Sequence, residues 1–132
     1  EVFAELREKS PIKLAWDEPA VNVRAVQELI TANAVDVIIL KLQRIGGPDL
    51  LWQIIQLCER NGIKCILTSS METGVGITAI LHCASLLRPP IPDCGIDMDR
   101  FLEFDVASAP PIENGWRRVP TAPGLGLGRV IF

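Results

Sequence analysis

The sequence predicts an α/β fold of parallel strand–helix units, a portion of a TIM-like (β/α) barrel followed by an extended tail. Three observations carry this. Short apolar runs, IKLAW, VDVIIL and KCIL, alternate with stretches of helical periodicity. The runs show little polar alternation, as expected of strands buried on both faces of a parallel sheet. A charged residue closes each unit: Asp17 after the first, Lys41 after the second and Glu72 after the third. A barrel needs eight such units, so three or four imply part of a larger sheet.

The elements follow in order. Val2 to Lys9 reads as the end of a helix with Val2, Phe3 and Leu6 on one side, which implies preceding chain; Ser10-Pro11 stops it. Ile12 to Trp16 is the first expected strand. Asn22 caps a helix whose apolar residues Val23, Val26, Leu29 and Ile30 recur at helical spacing. Val35 to Leu40 is the second strand. Gly46-Gly47-Pro48 turns the chain into a helix with the stripe Leu50, Leu51, Ile54, Ile55 and Cys58, and Asn61-Gly62 ends it. Lys64 to Leu67 is the third strand, and Gly74 to Leu87 a helix burying Ile77, Ile80, Leu81 and Ala84. A stiff Arg88-Pro89-Pro90-Ile91-Pro92 loop precedes a short strand near Gly95 to Met98. Residues 1–99 thus form a partial barrel, and residues 100–132 a tail of short extended segments and tight turns that packs on the barrel or on a capping domain.

Composition excludes several classes. The chain has 132 residues and a net charge of −3, with no basic patch suited to nucleic acid. Its apolar runs are too short to span a bilayer. The four cysteines lack CxxC spacing and the single histidine is His82, so zinc binding is not indicated. Reduced, buried thiols point to the cytoplasm.

Parallel βα units bring the C-terminal ends of their strands to one face, where barrel enzymes keep their chemistry. A lone charge ending an apolar strand is costly unless it serves a site, which singles out Asp17 and Lys41. Plainer readings stand beside this one. Asp17 and Glu18 could be a solvated strand–loop junction, Lys41 a snorkelling lysine, and Glu72 a carboxylate favoured by a helix N-terminus. Gly46 and Gly47 are turn residues, and His82 suits a core or interface. Trp16 would point away from Asp17 toward the helices, Trp52 would pack between helices, and Trp116 would anchor the tail.

Together, WDEP, LKLQRIGG, SSMETGVG and the late PGLGLG resemble the muconate-lactonizing branch of the enolase superfamily, over nearly the whole chain. The resemblance implies barrel strands five to eight, with Asp17 as a ligand of Mg2+ (or Mn2+) and Lys41 as an acid/base or fixed cation. Glu18, Glu72, Ser69 and Ser70 become candidates to support the site or bind substrate. The implied reaction removes a proton α to a carboxylate, and a small-molecule carboxylate is the expected substrate. The family's other metal carboxylates, its Lys-x-Lys pair and its capping domain belong to segments that this sequence does not contain. The chain alone is therefore expected to be inactive, completed by a missing N-terminal half or by self-association.

Within the branch, P-x-C-G-I and RFLEFDVASAPPIENGWRRVPTAPGLGLG look like o-succinylbenzoate synthases, dehydratases of menaquinone or phylloquinone synthesis. Asp97-Met98-Asp99 instead resembles the Asp-x-Asp with which dipeptide epimerases grip an ammonium group. Two aspartates would repel a dicarboxylate unless they face solvent or cap a turn. The synthase is the favoured expectation. A dipeptide epimerase or N-acylamino acid racemase is one alternative, and a non-catalytic, self-associating half-barrel another.

Overall fold

The computed structural model describes residues 2–128, 130 and 131; Glu1 and the tail positions Arg129 and Phe132 lie outside the described residues. Three strands, β1 (Ala15–Trp16), β2 (Val37–Leu40) and β3 (Lys64–Leu67), form a parallel sheet in the order β1-β2-β3. Helix α1 (Val2–Lys9) precedes them, α2 (Val23–Thr31), α3 (Leu42–Ile45) and α4 (Pro48–Arg60) lie between them, and α5 (Gly74–Ala84) follows β3. A short 3-10 turn, Met98–Phe101, follows. This is the expected α/β architecture, in chain order.

Register assigns the faces. Ile38 pairs with Cys65 and Leu40 with Leu67, and these four side chains are buried with Val26 of α2, Leu51, Ile54 and Ile55 of α4, and Ile77 and Ile80 of α5. Each fully buried Ile or Leu contributes about 1.5–3 kcal/mol relative to exposure, so this layer dominates stability. Successive strand residues alternate faces. The opposite face therefore carries Ala15, Val37, Ile39 and Ile66, and Asp17, Lys41 and Thr68 continue that alternation at the strand ends. Ile39 and Ile66 are only half-buried. Trp16 falls on the helix face, as expected, and meets Phe3 of α1 edge-on at 4.5 Å.

Several boundaries differ from expectation. The first strand starts at Ala15 because the Leu14 N–H donates to the Asp36 carboxylate at 2.9 Å instead of joining a ladder. The second begins at Val37, where the ladder to Lys64 opens. Helix α5 ends at Ala84, and the Ser85 hydroxyl donates to the His82 carbonyl at 2.6 Å. The one-turn α3 was not foreseen; it is closed by Gly46 at φ 98°, a conformation glycine adopts without strain. Leu50 lies off the buried stripe of α4 and is exposed. Val2, Phe3 and Leu6 are exposed too, so the apolar side of α1 is largely uncovered.

The strand expected near Gly95 to Met98 reduces to one parallel bridge, Gly95 with Thr68. Gly95 N–H donates to Leu67 O at 3.1 Å and Gly95 O accepts from Ser69 N–H at 2.9 Å. Arg100 then pairs with Asp97 three residues back, which suits a tight turn rather than continued extension.

The tail matches its expected texture. Asn114 (φ 52°) and Gly115 (φ 82°) form a tight turn between Glu113 and Trp116. Trp116 does not anchor it, being 76% exposed. The attachments are instead polar: Asp105 accepts from Gly74 N–H at 2.7 Å, His82 Nε2 meets Leu125 O at 3.1 Å, and Arg117 reaches Asp99. His82 is thus an interface histidine between α5 and the tail. Among the described residues no helix is long and apolar enough to cross a membrane.

Candidate active site

Asp17 and Lys41 are the first residues after β1 and β2. Because those strands are adjacent and parallel, both side chains emerge at one edge of the sheet, on the face away from the helices. Lys41 Nζ donates to Asp17 Oδ1. The lysine side chain is 15% exposed and the aspartate 40%, so the cation sits deeper than its partner. A largely buried ammonium left unpaired would be costly, and Asp17 offsets that cost.

Helix α3 fixes the lysine backbone. The Lys41 carbonyl accepts from Arg44 N–H at 3.0 Å and Ile45 N–H at 3.2 Å, and buried Ile45 roots the turn. The same turn delivers Arg44, whose Nη1 donates to Glu18 Oε2. Consecutive acids of one loop therefore meet two cations of the next. The outer pair is exposed and weak.

The other sequence-predicted residues form separate groups. Ser69 is buried and its hydroxyl donates to Gly95 O at 3.3 Å. Glu72 is buried and accepts from Ser70 N–H at 2.9 Å. Its carboxylate occupies space that a Cβ on Gly76 would fill, so it is folded back against the first turn of α5. Asp97 pairs with Arg100 at 3.2 Å. Asp99 pairs with Arg117 at 2.6 Å, with side chains only 17% and 8% exposed. Asp99 thus neither faces solvent nor caps a turn.

Three further polar residues carried no local sequence signal. Arg44 lies one helical turn from Lys41, but a helix there was not evident. Thr68 follows β3 on the Lys41 face, and its buried Oγ1 lacks a hydrogen-bond partner. Arg117 sits in a segment that reads as plain tail, and only folding brings it to Asp99.

A divalent cation does not fit the described residues by themselves. None of their His, Cys, Asp or Glu side chains gather in groups of three or more able to hold a metal. Asp17 supplies one carboxylate, and Lys41 occupies one of its oxygens.

Comparison with known proteins agrees with this architecture. The chain is 31% identical over 127 residues to an N-succinylamino acid racemase of Amycolatopsis sp, covering 96% of this chain and 34% of the relative. It is 32% identical over 109 residues to the o-succinylbenzoate synthase of Thermobifida fusca, covering 82% of this chain and 33% of that one. It therefore spans about a third of the length of these curated relatives. Its fold superposes on the muconate lactonizing enzyme of Pseudomonas putida with a TM-score of 0.88 at 23% identity, over 96% of this chain and 36% of that structure. The family described as enolase C-terminal domain-like matches residues 1–128. The chain belongs to that family, within the muconate-lactonizing branch of the enolase superfamily.

Proposed function

We propose that this chain supplies the Lys41 side of an active site that removes a proton α to a carboxylate, as part of an o-succinylbenzoate synthase. One observation carries the reading: Lys41 is held largely buried beside Asp17 at the strand-end edge of an enolase-type sheet. A hydrogen on a carbon α to a carboxylate is very weakly acidic, so the site must both accept the proton and stabilise the enediolate. Lys41 Nζ can do the first as a base, or assist the second as a fixed cation.

Asp17 is the site carboxylate that could turn to Mg2+ or Mn2+, with further ligands from outside the described residues. The half-buried face of Ile39 and Ile66 would be closed by the polypeptide that brings those ligands, or by a second copy of the chain. A reducing, cytoplasmic setting suits the four free thiols.

A racemase of N-acylated amino acids is the second reading, favoured by the 31% identity to the Amycolatopsis enzyme. The two readings share a substrate type without a free ammonium group. A dipeptide epimerase fits less well, because Arg100 and Arg117 already engage Asp97 and Asp99.

The test is proton exchange in D2O, followed by NMR, in the intact protein that carries this chain. With N-succinylated amino acids and with the cyclohexadiene dicarboxylate substrate of the synthase, Lys41→Ala should slow α-proton loss by about 10²–10⁴-fold. Water loss from the second substrate alone identifies the synthase, and solvent deuterium entering the first identifies the racemase. An unchanged rate in Lys41→Ala would refute both.

A further inference from the structure

Helix α4 and strand β3 are joined by the tight turn Asn61-Gly62, and each carries a cysteine on the side that meets the other. The Asn61 and Ile63 N–H groups both donate to Cys58 O, at 3.0 and 2.9 Å, so the chain enters β3 against the last turn of α4. Two residues beyond Ile63, Cys65 turns to the helix face of the sheet and joins Cys58 in the buried layer. The two thiols are in hydrogen-bonding contact.

A cavity of about 310 Å³ reaches this contact, lined by Ile55 and Glu59 of α4, Cys65 of β3, and Leu87, Arg88 and Pro90. Arg88 and Pro90 are exposed, while Ile55, Cys65 and Leu87 are buried, so it runs from solvent to a thiol. Glu59 and Arg88 pair at 3.2 Å, but the arginine side chain is 80% exposed and the pair is too weak to seal the opening. The volume is roughly ten times a water molecule's share of the liquid, ample for a small peroxide. Cys65 itself is only 6% exposed, which leaves no approach for a bulky thiol reagent.

We propose that Cys58 and Cys65 form a reversible oxidation site, closing to a disulfide with hydrogen peroxide or a small alkyl hydroperoxide that enters this cavity. The S–H of one thiol stabilises the thiolate of the other, which gives the pair a nucleophile that an isolated buried thiol lacks. With the charge on Cys65, its sulfur attacks one peroxide oxygen. An S–O bond forms, the O–O bond breaks, and the departing oxygen takes a proton from solvent to leave as water or an alcohol. The Cys58 sulfur then displaces hydroxide from the Cys65 sulfenic acid. The S–S bond forms, the S–O bond breaks, and the hydroxide leaves as water with the Cys58 proton. Two thiols are oxidised and one peroxide is reduced. Cys65 lies near the start of β3, the opposite end from Asp17 and Lys41, so the site stands independently of the proposed reaction.

The test uses the intact protein that carries this chain, with Cys94→Ser to remove the half-buried thiol. Folded protein is treated with hydrogen peroxide, quenched, unfolded in an alkylating reagent and digested with trypsin. Cleavage after Arg60 and Lys64 puts Cys58 and Cys65 in separate peptides. A bond between them therefore appears in mass spectrometry as a linked pair that dithiothreitol splits, and fragmentation distinguishes Cys65 from Cys83 within one peptide. Alkylation of Cys58 and Cys65 should be lost together while Cys83 remains alkylated. Cys58→Ala, checked for folding by circular dichroism, should abolish the link.

Full alkylation of both thiols after peroxide, a link to Cys83 instead, or oxidation to sulfinic acids without a link overturns the proposal. So does a link that forms only after urea has unfolded the protein, because the cavity would then not admit the oxidant.

Discussion

Gly74, the first residue of α5, lies so close to the tail that a Cβ placed on it would overlap the carbonyl oxygen of Ala107 and stand 2.6 Å from the Ala109 nitrogen. The obstruction is backbone, which cannot rotate aside as a flexible side chain can. The contact is reinforced by Asp105, which accepts from Gly74 N–H at 2.7 Å and from Ala107 N–H at 3.1 Å. A helix start and the tail are thus fitted to each other at a position where only glycine leaves room.

Gly74→Ala should therefore loosen the tail while α5 itself gains helix propensity. Overpacking of this kind costs about 1–3 kcal/mol, read as a lower urea midpoint. Limited proteolysis should cut faster around Ala107 to Pro111. An unchanged midpoint with unchanged proteolysis would show that the tail is not seated on α5 in solution.

Asp36 links α1 to the start of the sheet, and predicts a pH dependence. The Leu14 N–H at 2.9 Å, and then the Arg7 guanidinium at 3.0 Å, hold its carboxyl below the usual range. Its folded value thus lies under the unfolded value of about 3.9. Its contribution is complete above the unfolded value and is lost as pH falls through the folded one. Denaturation curves of Asp36→Asn and native protein should be furthest apart near neutrality and converge below about pH 4. Parallel pH profiles would contradict the assignment.

The cysteines offer a check on the core. The thiol contact between Cys58 and Cys65, with burial, pushes Cys65 up, and burial pushes up Cys83 and Cys94. Of the four, only Cys94 is half-buried. A thiol reagent at mildly alkaline pH should label Cys94 first, the other three following only as the protein unfolds. Mass spectrometry of digests would show this, and early labelling of Cys58 would contradict the packing of α4 on β3.

Much of this was readable along the chain because it depends on local periodicity. VDVIIL and KCIL could hardly be other than buried strands, and Leu51, Ile54, Ile55 and Cys58 repeat at helical spacing. Asn22 caps α2 as its side chain suggested, accepting from Ala25 N–H at 2.8 Å. The juxtaposition of Asp17 and Lys41 was also legible, since ends of neighbouring parallel strands must share an edge. Leu50 was misread because its spacing does not say where the buried stripe of α4 stops. Trp116 was misread because aromatic size alone does not specify an anchor.

The sequence by itself determined the order of strands and helices, the buried layer and the two charged strand ends, since periodicities of 2 and 3.6 residues record which face each element must hide. Tertiary structure decided the pairings of residues distant in sequence: Arg44 with Glu18, Arg117 with Asp99, and Gly74 against Ala107. A charge in a loop or tail has many possible partners along the chain. The partner it takes is set by the packing that brings two segments together and removes the alternative of water.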